Sequence, residues 1–170
     1  MGTLTKMGDI SLYNVPAGDP AIYSNPDVFQ PPTKPGALDT PMFKDKRGVI
    51  QRLNKNNLDW LDEYQVKAEF PNTLYTKAGF MRSGDLHKNS QLDYIIEGEL
   101  ELWTLEQGKT VKQVLGPNTF IVLGAHTPHL FRFTKDTVMQ EWWSGKFEAW
   151  YYKPYRDIID KDTKERLAAK

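Results

Sequence analysis

The stretch RSGDLHKNSQLDYIIEG, residues 82–98, places polar residues between two short runs of the kind that form β-strands. Alternate side chains of a strand lie on one face, so Asp85 and His87 point the same way if the first run is extended. A glycine-bounded hairpin at the end of the stretch lets Gln91 or Asp93 return to that face. The stretch therefore predicts neighbouring strands that share a polar inner face.

Short runs of β-branched and aromatic residues continue on both sides of this stretch, with turn signals between them. Many short strands at regular spacing are typical of a sandwich or a barrel. The predicted strands are Gly48–Leu53, Asn72–Arg82, Leu92–Ile96, Glu99–Leu105, Thr110–Leu115, Thr119–Leu123, His129–Thr134, Thr137–Trp143 and Phe147–Tyr152. The sequence therefore predicts an all-β domain.

The two ends of the chain depart from this pattern. Residues 1–45 carry proline and glycine too often for a regular element, so we expect an extended N-terminal arm that packs over the barrel or across to a second chain. Residues 155–170 show the one helical pattern. The predicted organisation is an arm over 1–45, a barrel over 46–154 and a C-terminal helix over 155–170.

The three histidines of the chain lie in two short segments, and there is no cysteine. A metal site would therefore depend on these histidines and on nearby carboxylates or amides. His129 comes from a separate strand after a tight turn, which brings it together with Asp85, His87 and Gln91 in one polar cluster inside an apolar barrel. Burying such a cluster costs free energy unless the cluster serves a function. We interpret the third histidine, His126, as a turn residue.

Charge and composition argue against several classes of protein. Lys+Arg and Asp+Glu are both 22, so the formal net charge is zero and the basic excess of a nucleic-acid-binding protein is missing. No apolar run approaches the ~20 residues of a membrane span, and the first residues lack the apolar core of a signal peptide. We expect a cytoplasmic protein with a small-molecule partner. Low net repulsion and an aromatic content of 12% favour a homodimer.

The two histidine segments resemble the two motifs of the cupins. The first cupin motif has a glycine, His-x-His, a glutamate three or four residues later and a glycine seven residues after that; here the order is Asp85-Leu-His87, then Gln91, then Gly98. The second motif ends in a proline–histidine turn, and Gly124-Ala-His-Thr-Pro-His129 lies in the corresponding place. Asp85 and Gln91 replace two of the ligands that the family has. The resemblance implies a cupin-type antiparallel β-barrel, a jelly roll.

Within the cupins, the chain is most similar to the dTDP-4-keto-6-deoxyhexose 3,4-ketoisomerases, over roughly residues 43–158. Asp45-Lys-Arg-Gly48 matches the Asp-x-Arg-Gly segment of that family, and Arg82-Ser-Gly-Asp-Leu-His-Lys88 followed by Gln91 resembles its central motif. Asp85 stands where the family has the first histidine of its His-x-His pair.

This resemblance implies proton transfer on a sugar nucleotide, with no cofactor. His87 is then the base or shuttle, because histidine supplies both an acid and a base near pH 7. A tyrosine donates to the substrate oxygen, and an arginine pairs with the diphosphate. The residues assigned to catalysis are His87, Asp85 and Tyr75, and those assigned to substrate binding are Arg82, Gln91 and His129.

Two alternatives stay open from the residues. In the first, His87, His129 and Asp85 bind a divalent metal such as Fe, Mn, Ni or Zn, with Gln91 as a weak fourth ligand, and the protein is an oxygenase, lyase or isomerase. In the second, the barrel binds a small molecule without catalysis, and the aromatic residues available to line the pocket are Trp103, Trp142, Trp143 and Trp150.

Overall fold

The computed structural model describes residues 1–25, 29–32, 42–52, 72–145 and 147–168. They form fourteen strands, a short 3-10 helix over Pro20–Ser24 and one α-helix, α1, over Lys153–Ala168. The strands are β1 (Thr3–Met7), β2 (Ile10–Val15), β3 (Phe29–Pro32), β4 (Met42–Asp45), β5 (Gly48–Arg52), β6 (Asn72–Thr76), β7 (Met81–Leu86), β8 (Gln91–Glu97), β9 (Leu100–Glu106), β10 (Lys109–Leu115), β11 (Thr119–Leu123), β12 (His129–Phe133), β13 (Thr137–Trp143) and β14 (Trp150–Tyr152).

The strands build two sheets that face each other as a jelly-roll barrel. One sheet has the order β1-β2-β11-β8-β13-β6-β5-β4, and the other has the order β10-β9-β12-β7-β14-β3. Neighbouring strands are antiparallel except for β2 and β11, which are parallel. The predicted all-β fold is therefore confirmed.

The space between the sheets is filled by alternate side chains from both. Ile95 and Met139 of the first sheet pack with Leu102 and Phe131 of the second, and all four are almost fully buried. Inward alternation of apolar residues is what a two-sheet core requires. Toward one end of the strands the inward residues become polar, and this change of character locates the functional site.

Helix α1 covers the outer face of the second sheet. Ile159 and Tyr155 pack on Leu86 of β7 and Trp150 of β14, and the hydroxyls of Tyr155 and Thr110 lie 2.7 Å apart. Burial raises the pKa of Tyr155 to about 12. The predicted C-terminal helix is thus present and begins two residues earlier than the sequence pattern indicated.

Two differences from the predicted pattern concern strand bounds. The predicted strand Phe147–Tyr152 is a strand only over Trp150–Tyr152. The predicted strand Asn72–Arg82 is two strands, β6 and β7, which belong to different sheets. A turn separates them because Gly79 has a φ of +90° and the Asp136 carboxylate accepts the Ala78 N–H at 2.8 Å. Leu53 of another predicted strand lies outside the described residues.

The predicted arm over 1–45 contains regular structure where it is described. The hairpin of β1 and β2 joins the first sheet, with Ser11 opposite Thr119 of β11. Residues 26–28 and 33–41 of the predicted arm lie outside the described residues. Within the described part of the chain, no helix has the length and apolar character needed to cross a membrane.

Candidate functional site

His87 follows directly after β7 and is held by the main chain on both sides. Its Nδ1 lies 2.9 Å from the carbonyl oxygen of Glu148, and its own carbonyl accepts the His126 N–H at 2.7 Å. The side chain is 3% exposed. Since a carbonyl oxygen only accepts, this contact favours the hydrogen on Nδ1 of His87, and Nε2 of that neutral tautomer then carries the lone pair.

His129 opens β12 and is held in the same way. Its Nδ1 donates to the carbonyl oxygen of Thr127 at 2.9 Å, and the side chain is 1% exposed. The same tautomer follows, with the lone pair on Nε2. The two imidazole rings have centroids 5.3 Å apart, so both Nε2 atoms face one small volume inside the barrel.

Gln91, the first residue of β8, presents its amide oxygen to both histidines. Oε1 lies 2.8 Å from Nε2 of His87 and 2.9 Å from Nε2 of His129. The amide nitrogen donates to Asp93 Oδ2 at 3.1 Å and to Glu141 Oε2 at 3.0 Å. Both hydrogens of the amide are therefore used on the side away from the histidines.

Asp85, in β7, is the fourth residue that points to the same place as His87, His129 and Gln91. Its Oδ1 lies 3.2 Å from Nε2 of His129 and 3.6 Å from Nε2 of His87, and this buried oxygen has no hydrogen-bond partner among the described residues. The ligating atoms of Asp85, His87 and His129 all lie within 4.8 Å of one another. We refer to Asp85, His87, Gln91 and His129 as the convergent site.

A β-bulge in β7 makes this convergence possible. Ser83 and Gly84 have positive φ values of 81° and 70°, and the pairing with β12 shifts by one residue at this point. Such a bulge changes which side chains point inward. Arg82 and Asp85 therefore both face the barrel interior, opposite Phe131 and His129, although they are three residues apart.

Burial and charge shift the pKa values around the site in different directions. Burial lowers the pKa of His87, with Asp85 opposing the shift. Burial also works against the charged form of His129, but the nearby Asp85 carboxylate outweighs burial and raises the pKa of His129. For Asp85 itself, burial is outweighed by the charges of His87 and His129, so its pKa is lowered.

The two carboxyls that accept hydrogen bonds from the Gln91 amide, Asp93 and Glu141, both have raised pKa values. Asp93 and Glu141 are opposite each other on β8 and β13. Burial and the charge of Glu141 raise the pKa of Asp93 well above its ordinary value, and burial also raises the pKa of Glu141. Each of these two carboxyls therefore holds a proton more readily than an exposed carboxyl does.

Two aromatic rings pack against His87 of the convergent site. The rings of Trp143 and Phe147 each have their centroid 5.5 Å from that of His87 and lie 4.3 Å from each other. The sequence offered four tryptophans as pocket residues. The other three, Trp103, Trp142 and Trp150, pack in clusters on the outer faces of the sheets.

The structure brings together four of the six residues that the sequence assigned to a site, namely those of the convergent site. Arg82 is inside the barrel and 5% exposed, with Nε donating to Thr76 Oγ1 at 2.8 Å, and burial with the charge of Arg47 lowers its pKa to about 10. Tyr75 is 43% exposed and lies on the opposite face of β6 from the core residue Leu74. The roles assigned to Arg82 and Tyr75 stay predictions.

Glu141 is the site residue that the sequence reasoning missed. The signal was present, because Thr137, Met139 and Glu141 alternate along β13 and the first two are buried. His126 lies outside the convergent site, and its Nδ1 is 3.1 Å from the Tyr23 hydroxyl.

The convergent site fits a divalent cation. Two imidazole lone pairs, one carboxylate oxygen and one amide oxygen point to the same place, and the Asp85 oxygen is buried without a hydrogen-bond donor. Lone pairs that face one another repel, whereas a cation placed between them is attracted to each. Imidazole and carboxylate ligands together suit Fe, Mn, Ni and Zn.

Comparison with solved structures identifies the fold. The capsular polysaccharide assembling protein CapF from Staphylococcus aureus matches with a TM-score of 0.52 at 12% identity, over 72% of this chain and 32% of that chain. Oxalate decarboxylase from Bacillus subtilis, in a structure described by its Mn(II) centres, matches with a TM-score of 0.50 at 17% identity, over 65% of this chain and 29% of that chain. Both are cupin-fold proteins.

The similarity to these neighbours shows that the chain has a cupin-type jelly-roll fold, and it shows the fold alone. The chain spans about a third or less of the length of either neighbour. No protein-family model matches the chain, and no curated protein matches it significantly. The cupin resemblance of the two histidine segments is confirmed at the level of fold.

Proposed function

We propose, with the cupin fold as the premise, that the chain is a metal-dependent cupin enzyme whose barrel binds one divalent cation at the convergent site. The observation that carries this proposal is the meeting of four lone-pair atoms, from His87, His129, Asp85 and Gln91, at one buried point. Two neutral imidazoles and one carboxylate would leave positions open for a small substrate.

The residues of the chain have distinct tasks in this proposal. A bound metal would supply Lewis-acid or redox chemistry. His87 and His129 are oriented by carbonyl oxygens, which fixes their tautomer, as is usual for metal-binding histidines. Asp85 supplies the negative charge of the ligand set, and Trp143 and Phe147 pack against His87 and limit the access of water.

Metal content per chain tests this proposal. Protein is incubated with Mn(II), Fe(II), Ni(II) or Zn(II), freed of excess metal and analysed by mass spectrometry of the elements. Mn(II) comes first, because a fold neighbour is described by its Mn(II) centres. We expect about one metal per chain in the wild type, loss of the metal in His87→Ala and His129→Ala, and retention in the matched control His126→Ala.

Two results would contradict the proposal. One is a wild-type protein that binds none of the four metals. The other is a His87→Ala or His129→Ala protein that remains folded by circular dichroism and keeps its metal.

A second candidate function is the metal-free transfer of a proton on a sugar nucleotide, as the ketoisomerase resemblance implies. It is supported by two imidazole Nε2 atoms that face the same point beside the Asp85 carboxylate. Turnover of dTDP- or UDP-sugars by chelator-treated protein, absent in His87→Ala, is the expected result on this reading. Full activity of His87→Ala would exclude it, and binding without turnover would favour a non-catalytic cupin.

A further inference from the structure

Gln91 is an unusual member of a ligand set because its side chain has two different ends. One end of the amide is an oxygen that can bind a cation, and the other end is an NH₂ group that cannot. Only one of the two orientations lets Gln91 act with His87 and His129. Something on the opposite side must therefore select the orientation.

Asp93 and Glu141 provide that selection. The Gln91 nitrogen donates to both carboxyl oxygens, at 3.1 and 3.0 Å, so each of its hydrogens has an acceptor. Turning the amide over would place its oxygen against these two carboxyl groups and its hydrogens against the cation site. Gln91 is 1% and Asp93 is 0% exposed, so water does not replace these partners.

The position of the pair in the fold supports a functional reason for it. Asp93 and Glu141 lie directly opposite each other, where two acidic side chains destabilise a sheet. Buried carboxyls are also costly to retain when apolar residues would fit. A pair of this kind in the barrel interior is explained if it serves the neighbouring site.

We infer that Asp93 and Glu141 are positioning residues, which hold the Gln91 amide with its oxygen toward His87 and His129 and so make Gln91 a ligand. This inference rests on the metal-dependent function proposed above. Outer partners of metal ligands are typically worth about 10- to 100-fold in metal affinity.

Apolar replacements of similar size test the inference. Asp93→Leu and Glu141→Met remove the acceptors while filling the space, and Glu106→Met is the matched control. Glu106 is a buried carboxylate of the same barrel, but it accepts from the Thr104 hydroxyl at 2.7 Å. Mn(II) affinity is measured by titration and stability by urea unfolding of the metal-free proteins.

We expect Asp93→Leu and Glu141→Met to bind Mn(II) about 10- to 100-fold more weakly and to be at least as stable as the wild type without metal. Glu106→Met should keep the wild-type affinity. Replacing a residue that merely supports the fold would lower both the Mn(II) affinity and the stability. A variant that loses affinity without losing stability therefore identifies a positioning residue.

The same substitution made in a Gln91→Glu protein tests whether the effect on affinity depends on the amide of Gln91. In Gln91→Glu the two ends of side chain 91 are equivalent oxygens, so no orientation has to be selected. Adding Glu141→Met to Gln91→Glu should therefore leave Mn(II) affinity unchanged or increase it, because a repelling carboxyl is removed. The same loss of affinity in both backgrounds would overturn the inference.

The two proposals fail in different ways. If the wild type binds no metal, the metal-dependent function is wrong and the positioning role falls with it. If the wild type binds Mn(II) and both Asp93→Leu and Glu141→Met bind it equally well, only the positioning role is wrong.

Discussion

Asp85 reaches the same point as two histidines, and its carboxylate lies closer to His129 than to His87. Nε2 of His129 is 3.2 Å from Asp85 Oδ1, and the carboxylate raises the pKa of His129 despite complete burial. The folded state therefore holds a proton on His129 more tightly than the unfolded chain does. That contribution to stability is fully present below the pKa of an unfolded histidine and is lost as pH rises through the raised pKa.

The substitution Asp85→Asn should reveal this dependence in metal-free protein. The loss of unfolding free energy should be about 1.5 to 3 kcal/mol near pH 5.5, where His129 is charged, and smaller near pH 8.5, where less of His129 carries the proton. Urea unfolding with a chelator present measures it at both pH values. An equal loss at the two pH values would mean that Asp85 does not act through the charge of His129.

The β-bulge in β7 is the element that places Asp85 and Arg82 on the same side. It also lies against helix α1, since a Cβ at Gly84 would be 2.9 Å from Ile159 Cδ1 and 3.0 Å from the Arg156 Cα. Gly84 is thus constrained twice, by a φ of +70° and by the helix.

A pair of alanine substitutions separates these two constraints. Gly108 has a similar φ of +77° in the β9–β10 turn, but a Cβ there meets nothing within 4 Å. We expect Gly108→Ala to cost about 1 to 2 kcal/mol for its backbone alone. Gly84→Ala should cost about 1 to 3 kcal/mol more because of the added clash. Urea unfolding measures both variants. Equal losses of unfolding free energy in Gly84→Ala and Gly108→Ala would show that α1 shifts to accommodate the added Cβ at no measurable cost.

Sequence patterns predicted most of these elements, and the exceptions have physical reasons. The strands from Leu92 to Trp143 are runs of β-branched and aromatic residues with turn signals between them, so local sequence located them. Strands β1 and β2 were hidden, because their hairpin joins the sheet through the pairing of β2 with β11, and a distant partner leaves no local signal. In the site, the spacing along the sequence predicted that His87 and Gln91 lie together. The pairing of Asp93 with Glu141 could not be predicted in this way, because it depends on the register of β8 and β13.

At the scale of the whole molecule, the two sheets end in strands whose outer sides have no neighbour among the described residues. These are β1 and β4 of the first sheet and β10 and β3 of the second. β1 and β10 each carry an exposed apolar residue, Leu4 at 44% and Val114 at 52%. Free strand edges of this kind pair readily with another chain.

The homodimer expected from composition stays a prediction that this architecture makes testable. Sedimentation equilibrium over a range of protein concentrations should give the mass of two chains at the upper end. A mass of one 19.6-kDa chain at every concentration would refute it. The measurement needs no ligand and is best made with and without Mn(II).

The parallel pairing of β2 with β11 has a consequence for the order in which the barrel is completed. Ser11 cannot meet Thr119 until the chain between them exists and its strands have begun to assemble. During synthesis, the hairpin of β1 and β2 is made before β11 and cannot pair with that strand until it has been made. Contacts so distant in sequence form slowly. Strands β1 and β2 are thus made before β11 but are among the last strands to join the barrel.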